Sequence, residues 1–308
     1  MFGSMAALPV GIQPWPRRLG ALVLTARAEA LLRAHLLPEL TRRGWHEGAL
    51  ALDARVAAAP EQSAAALALA DSIPDLIVAV GAPAVRAARA ATSTIPIVMH
   101  GADARLLAGT SMARPGGNAT GVVANTPEAE AKRVEMAAEL SPPGAKVGVL
   151  FHRGTDELAL RLAGMEVAAR RAGRALAVQE WQGPQGVAEA VAALAARGVR
   201  AAALGGTPES LRDAAAIAAA ATAQGIATVA QWRSMVLEGC TISHGPDFHA
   251  LYARVAHFAA LILRGTPAGD LPIEAPTRIE TVIDLRAAAA LGLTLPVSLL
   301  ARADEVFE

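Results

Sequence analysis

The sequence predicts an α/β fold of two doubly wound parallel-sheet lobes with a ligand cleft between them. Three observations carry the two-lobe reading. Short β-branched or Leu-rich runs alternate with Ala-rich helical stretches along the chain. The alternation restarts after Pro142-Pro143, so two sets of strands follow one another. The 308 residues suffice for two domains of ordinary size, and 53% apolar with 18% charged residues is the balance of a globular chain.

The elements follow in order. Residues 1–16, MFGSMAALPVGIQPWP, lack a basic segment followed by a sufficient apolar core, so they are not a signal peptide as they stand. They are read as a leader remnant or tag, with a native cytoplasmic start as the other reading. Strands are expected at 19–24, 49–56, 75–80, 95–99 and 120–123, and after the break at 146–151, 175–180, 199–204, 226–230 and 240–243. Helices lie between them. One begins at Pro127. Another runs from Leu158 with Leu162, Met165 and Ala169 at helical spacing, and Gly173 is its C-terminal stop. Strand-helix alternation gives parallel sheets covered on both faces, and ligands then bind beyond the carboxyl ends of the strands.

Composition excludes several functions. A formal net charge of +0 and the lack of a basic helix argue against a nucleic-acid partner. No continuous apolar run reaches the roughly 18 residues of a membrane span. A single cysteine, Cys240, excludes an intrachain disulfide and a Cys-based zinc site. The segment MARPGGNATG, 112–121, has no Lys and runs into a strand, so it is not a phosphate loop. It reads as a tight turn, with Pro115 ending a helix and Gly116, Gly117 and Asn118 permitting positive φ. The tripeptide Asn118-Ala119-Thr120 matches a glycosylation sequon, a pattern common by chance.

ARPGGNATGV also resembles a signature of the ABC transporter substrate-binding proteins of the tryptophan/tyrosine-type uptake group. RRGWHEGALALDARVA, DLIVAVGAPAVRAARAATSTIPIVM and the long segment from EGCTISHGPDFHALYARV to the C-terminus are similar to further motifs of that family. The resemblance covers residues 17–308. It implies a type I periplasmic binding fold, two α/β lobes joined by three crossover strands and closing on an amino acid or other small organic molecule. It also implies a membrane permease as partner, an extracytoplasmic location and a monomer. The lobes are expected at 17–123 plus 246–279 and at 124–245 plus 280–308.

Candidate site residues lie past the strand ends. Gly81 follows a strand and opens a helix with Pro83 in its first turn, and the backbone N–H groups of the 82–84 turn suit a carboxylate. The resemblance assigns ligand contact to Gly81, Ala82 and Pro83. His100, with Gly101 after it, His152 and His244 each stand at a strand end. The family more often has an apolar residue, Asn or Tyr there, so an aromatic amino acid is not carried over as ligand. The three imidazoles could hydrogen-bond a ligand, ligate zinc, or have unrelated partners. Gln231 offers an amide; Trp232 is a flat apolar wall or packs within its own lobe. Gly206 and Thr207 follow a strand, and Thr207 either caps the next helix or contacts ligand. Thr25 and Ala26 are also placed for the cleft. Asp103 pairs with a ligand amine or caps a helix, and Asp247 reads as a helix cap.

No catalytic residue, cofactor or metal is assigned. The chain has no GxSxG elbow, P-loop or HExxH helix. Residues 1–16 are too short for the helix-turn-helix that a repressor carries. The expected function is a solute receptor that delivers a small polar or anionic molecule to an ABC importer by hinge closure. The alternative is a cytoplasmic small-molecule sensor without a transport role.

Overall fold

A computed structural model describes residues 16–46, 48–103, 110–155 and 157–308. The expected strands form, ten of them in two parallel sets. The first comprises β1 (Arg17–Val23), β2 (Leu50–Val56), β3 (Leu76–Val80), β4 (Ile97–Asp103) and β5 (Ala119–Asn125). The second comprises β6 (Val147–His152), β7 (Leu176–Trp181), β8 (Ala201–Leu204), β9 (Ala227–Ala230) and β10 (Ile242–Pro246). Three short strands near the C-terminus complete the sheets: β11 (Ile273–Glu274), β12 (Ile279–Asp284) and β13 (Glu305–Phe307).

The six-stranded sheet has the order β11-β5-β4-β3-β1-β2, and the seven-stranded sheet the order β13-β12-β10-β9-β8-β6-β7. Both share a core in which the second strand of the set lies outside the first, and the third, fourth and fifth follow on the other side. Each sheet therefore reverses its winding between its first and third strands, at β1/β3 and at β6/β8. That reversal opens a crevice at the carboxyl ends, where ligands of doubly wound sheets sit. β10 and β12 are the antiparallel pair.

The helices cover the sheets: α1 (Ala26–Arg42), α2 (Gln62–Asp71), α3 (Ala82–Ala91), α4 (Pro127–Leu140), α5 (Leu158–Arg171) and α6 (Gly183–Ala196). Then come α7 (Pro208–Arg212), α8 (Ala214–Ala223), α9 (Arg233–Leu237) and α10 (Phe248–Leu263). β3 is buried over its whole length, and so are β8 and β9, as expected of central parallel strands. The chain changes sheet three times. It leaves β5 for α4, which packs on β8 and β9; it leaves β10 for α10, which packs on α1 and β4; and it passes from β11 to β12.

The turn reading of 112–121 holds for its glycines. Gly116 and Gly117 have φ of 67° and 60°, beyond the reach of most side chains. Asn118 is spent within the fold: its amide donates to the carbonyls of Thr92 at 3.0 Å and Ile95 at 2.8 Å. Thr120 is fully buried. The sequon is thus part of the packing. The expected helix ending at Pro115 does not form over residues 110–116, which run as bends and irregular chain. Among the described residues, no helix is long and apolar enough to cross a membrane.

Candidate functional site

A cavity of about 670 Å³ opens between the carboxyl ends of the two sheets. Most of the strand-end residues singled out from the sequence line it. From the first sheet these are Thr25, Gly81, Ala82, Pro83, His100 and Gly101; from the second, His152, Gly206, Thr207, Gln231 and Trp232.

Local chemistry sets these turns. Thr25 Oγ1 accepts from the N–H of Ala28 at 3.1 Å and caps α1. Thr207 Oγ1 accepts from the N–H of Ser210 at 3.2 Å and caps α7, so the cap and the cavity wall are the same residue. Asp247 caps α10 through Ala250, as expected. Gly81 adopts φ 86° ahead of α3, and its N–H donates to the carbonyl of His100 at 2.9 Å. A Cβ added to Gly81 would lie 3.0 Å from Pro208 Cγ, so the two walls touch at this point. An ion pair between Arg27 of α1 and Glu238 after α9 spans the same divide.

Two expected site residues do not line the cavity. His244 lies on β10, where its Nδ1 is 2.9 Å from Thr281 Oγ1 on β12 and its carbonyl accepts from Arg133 at 3.2 Å. Side chains alternate along a strand, and His244 is turned to its antiparallel partner instead of the cleft. Ala26 is exposed as the first residue of α1, while Ala28 reaches the cavity one half-turn later. The side chain of Asp103 lies outside the described residues. The three strand-end histidines are therefore not brought together. Among the described residues, no group of three or more His, Cys, Asp or Glu is placed to hold a metal.

His100 is a buried polar group in the wall. Its ring stacks on Tyr252 at 4.0 Å between centroids and meets Phe248 edge-on at 5.5 Å. Burial pushes its pKa down to about 3, so it is neutral at ordinary pH and offers a donor or an acceptor, not a charge. Its Nε2, the Tyr252 hydroxyl and Gln231 Oε1 are buried without a hydrogen-bond partner among the described residues. The amide of Gln231 is otherwise fixed, since Nε2 donates to the carbonyl of Ala124 at 3.0 Å. Trp232 is both wall and packing: it lines the cavity and meets Phe248 edge-on at 4.9 Å.

The sequence reading missed part of the wall. Phe248 and Tyr252 enter from the first turns of α10, and Asn125 from the end of β5. Arg153, Arg161 and Arg212 bring three guanidinium groups. Arg161 was masked by its helix. It lies three residues after Leu158 and four before Met165, on the apolar stripe itself, and a charge within a buried stripe was the signal.

A pair of α/β lobes with a polar, aromatic-walled cleft at both switch points is the type I periplasmic binding architecture. The chain belongs to the family described as ABC transporter substrate binding protein, whose model matches residues 40–307. The family is a class of receptors for small molecules that work with a transporter, not a class of enzymes. A conserved domain protein from Vibrio cholerae is similar in structure, with a TM-score of 0.85 at 24% identity, over 94% of this chain and 99% of that one. So is the ABC domain in complex with L-Trp from Streptococcus pneumoniae, with a TM-score of 0.85 at 20% identity, over 95% and 100%. The ligand-free, open structure of CD0873, a substrate binding protein with adhesive properties from Clostridium difficile, gives 0.67 at 20% identity, over 94% and 99%. No curated protein sequence matches the chain.

Proposed function

We propose that the protein is the receptor of an ABC importer and binds a small polar or anionic organic molecule, of the amino acid or carboxylate class, by hinge closure. The observation that carries this is the wall of buried, unpartnered polar atoms: His100 Nε2, Tyr252 Oη and Gln231 Oε1. A buried polar atom without a partner costs roughly 1–3 kcal/mol. A ligand that supplies those partners removes the cost only in the closed, loaded state, which is the differential affinity that closure requires. The L-Trp of the similar pneumococcal structure supports the amino acid class. The cavity of about 670 Å³ is of the size that holds such a molecule with room for bound water.

In this reading residues 17–123 with 246–279 form one lobe, residues 124–245 with 280–308 the other, and the three crossings are the hinge. The ligand-contact residues are those expected from the sequence that line the cavity, from Thr25 to Trp232. The receptor acts as a monomer on the extracytoplasmic side and hands its ligand to a membrane permease.

The test is a thermal-shift and calorimetry screen of amino acids, carboxylates, nucleosides and sugars. A ligand selective for the folded state adds about 2.7 kcal/mol of stability at a hundredfold excess over Kd. Saturable binding of an amino acid or carboxylate, lost in Gly81→Val, supports the reading. Saturable binding of a sugar or nucleoside alone refutes the ligand class, and no binding by any class refutes the receptor reading.

A further inference from the structure

Three guanidinium groups line the cavity, and they are not equivalent. Arg153 is exposed, and its Nη1 reaches Gln182 Oε1 at 3.4 Å. Arg212 is spent on Asp213, donating from Nε to Oδ1 at 2.8 Å and from Nη2 to Oδ2 at 2.7 Å. Arg161 is different. The residue is 3% exposed, yet it lines the cavity.

Its backbone position is set by an unusual turn. Glu157 holds φ 54°, the left-handed region, and its carbonyl accepts from the N–H of Arg161 at 2.9 Å as the first turn of α5. Non-glycine residues in that region cost free energy and gather at sites where geometry is imposed. One face of the Arg161 guanidinium lies over the Phe151 ring, 4.7 Å from its centroid. One edge is used: Nε donates to Glu130 Oε1 at 2.7 Å, and Nη2 donates to the same oxygen. Nη1 has no partner among the described residues.

We infer that Arg161 is the specificity-determining residue that reads an anionic, planar carboxylate on the ligand through its Nη1 edge. The inference rests on the receptor reading above and deepens it. A guanidinium has five N–H donors in a rigid fork, and Glu130 takes one side of that fork. The remaining side presents the paired donors that fit a carboxylate bidentately. Glu130 has a second role: it keeps the buried cation neutralised when the cleft is empty. The same Oε1 accepts from Asn125 Nδ2 at 2.9 Å, which ties Arg161 to the end of β5, where the chain crosses from one sheet to the other. A primary amide of the same shape offers its carbonyl oxygen to one of the paired donors but sets its own NH2 against the other, so it binds more weakly than the carboxylate.

The test uses the full chain and matched probes: phenyl and straight-chain carboxylates of three to nine carbons, each beside its primary amide, with ribose as a neutral control. Calorimetry gives the ratio of carboxylate to amide affinity. Wild type is expected to prefer at least one carboxylate over its amide by about tenfold or more. In Arg161→Met/Glu130→Gln, which removes both charges together, amide affinity holds and the ratio falls to within about twofold. A structural role alone would weaken acid and amide alike and leave the ratio intact. Arg161→Lys keeps the charge without the fork and is expected to retain only part of the preference. Should the double variant fail to fold, that partial loss in Arg161→Lys decides. A ratio unchanged in the variants overturns the inference, as does a wild type that binds amides or ribose in preference. The latter result leaves the receptor reading standing; binding of no probe overturns the inference, while the receptor reading falls only if the wider screen of amino acids, carboxylates, nucleosides and sugars is also blank.

Discussion

Gly206 is the position where one added methyl group tests the packing of the cleft. A Cβ on Gly206 would overlap Gln231 Oε1. The backbone there is not in the left-handed region, so the cost of Gly206→Ala is steric and falls on the neighbour. Gln231 is 3% exposed and cannot swing into water without leaving its post. Moving it breaks the 3.0 Å bond from Nε2 to the carbonyl of Ala124, itself buried, and an orphaned buried acceptor costs roughly 1–3 kcal/mol. Gly206→Ala is therefore expected to lower stability by about that amount, or roughly 2–4 °C of Tm per kcal/mol for a chain of this order of size. Urea unfolding of the single and double variants measures it. Gln231→Ala alone loses the same bond, so Gly206→Ala should cost less than about 0.5 kcal/mol in that background. Additive losses across the cycle would refute the argument, since they would mean that the two residues do not compete for one space.

Two further outcomes follow from charges. The ion pair of Arg27 with Glu238 joins the walls on either side of the cleft, and both partners are about a quarter to a third exposed. A pair of that exposure contributes at most about 1 kcal/mol, so Arg27→Ala should raise the ligand off-rate by no more than about fivefold, with the difference fading at high salt in stopped-flow release. Two histidines, one buried and one half-buried, act through pH. Burial lowers the pKa of His100 to about 3 and that of His244 to about 4, from an ordinary 6.5. Between those values and 6.5 the unfolded chain binds more protons, so stability is full above pH 6.5 and falls as pH drops through the window. Each histidine contributes a slope of up to about 1.4 kcal/mol per pH unit, and His100→Phe should remove one of the two contributions in urea titrations. An unchanged slope in that variant would show that His100 is not held neutral by the fold.

The strands were legible because their apolar runs are bounded by Gly and Pro and separated by Ala-rich helices. β11, β12 and β13 were not. They are two, six and three residues long, and their pairing depends on contacts far along the chain, Ile273 with Gly121 and Val282 with Glu305. The site was legible to the extent that strand ends are, which is why Gly81, His100, His152 and Gly206 were found. Residues that reach the cavity from helix interiors, such as Arg161 and Tyr252, carry no positional mark. His244 misled because its place at a strand end is real, but the face of the strand is set by the antiparallel β12, which the sequence did not reveal. A linear reading can therefore place a residue at the rim without knowing which way it faces.

Tyr252 shows how stability and binding part company at such a site. Its ring stacks with His100 at 4.0 Å and with His35 at 5.7 Å between centroids. Its hydroxyl is buried without a partner among the described residues, and burial raises its pKa, so it stays protonated. Tyr252→Phe keeps both stacks and deletes only the unmatched group. The empty protein is therefore expected to gain stability, by roughly 1 kcal/mol, because a desolvated hydroxyl is no longer carried. Ligand affinity is expected to fall by about tenfold if the hydroxyl finds its partner on the ligand. The two signs oppose each other, which a packing defect cannot produce, since a defect lowers both. Thermal unfolding of the empty protein and calorimetry of the loaded one, run side by side, decide it. A loss of stability in the empty variant would mean that the hydroxyl is already satisfied, and the wall of unmatched atoms would then cease to be an argument for a ligand.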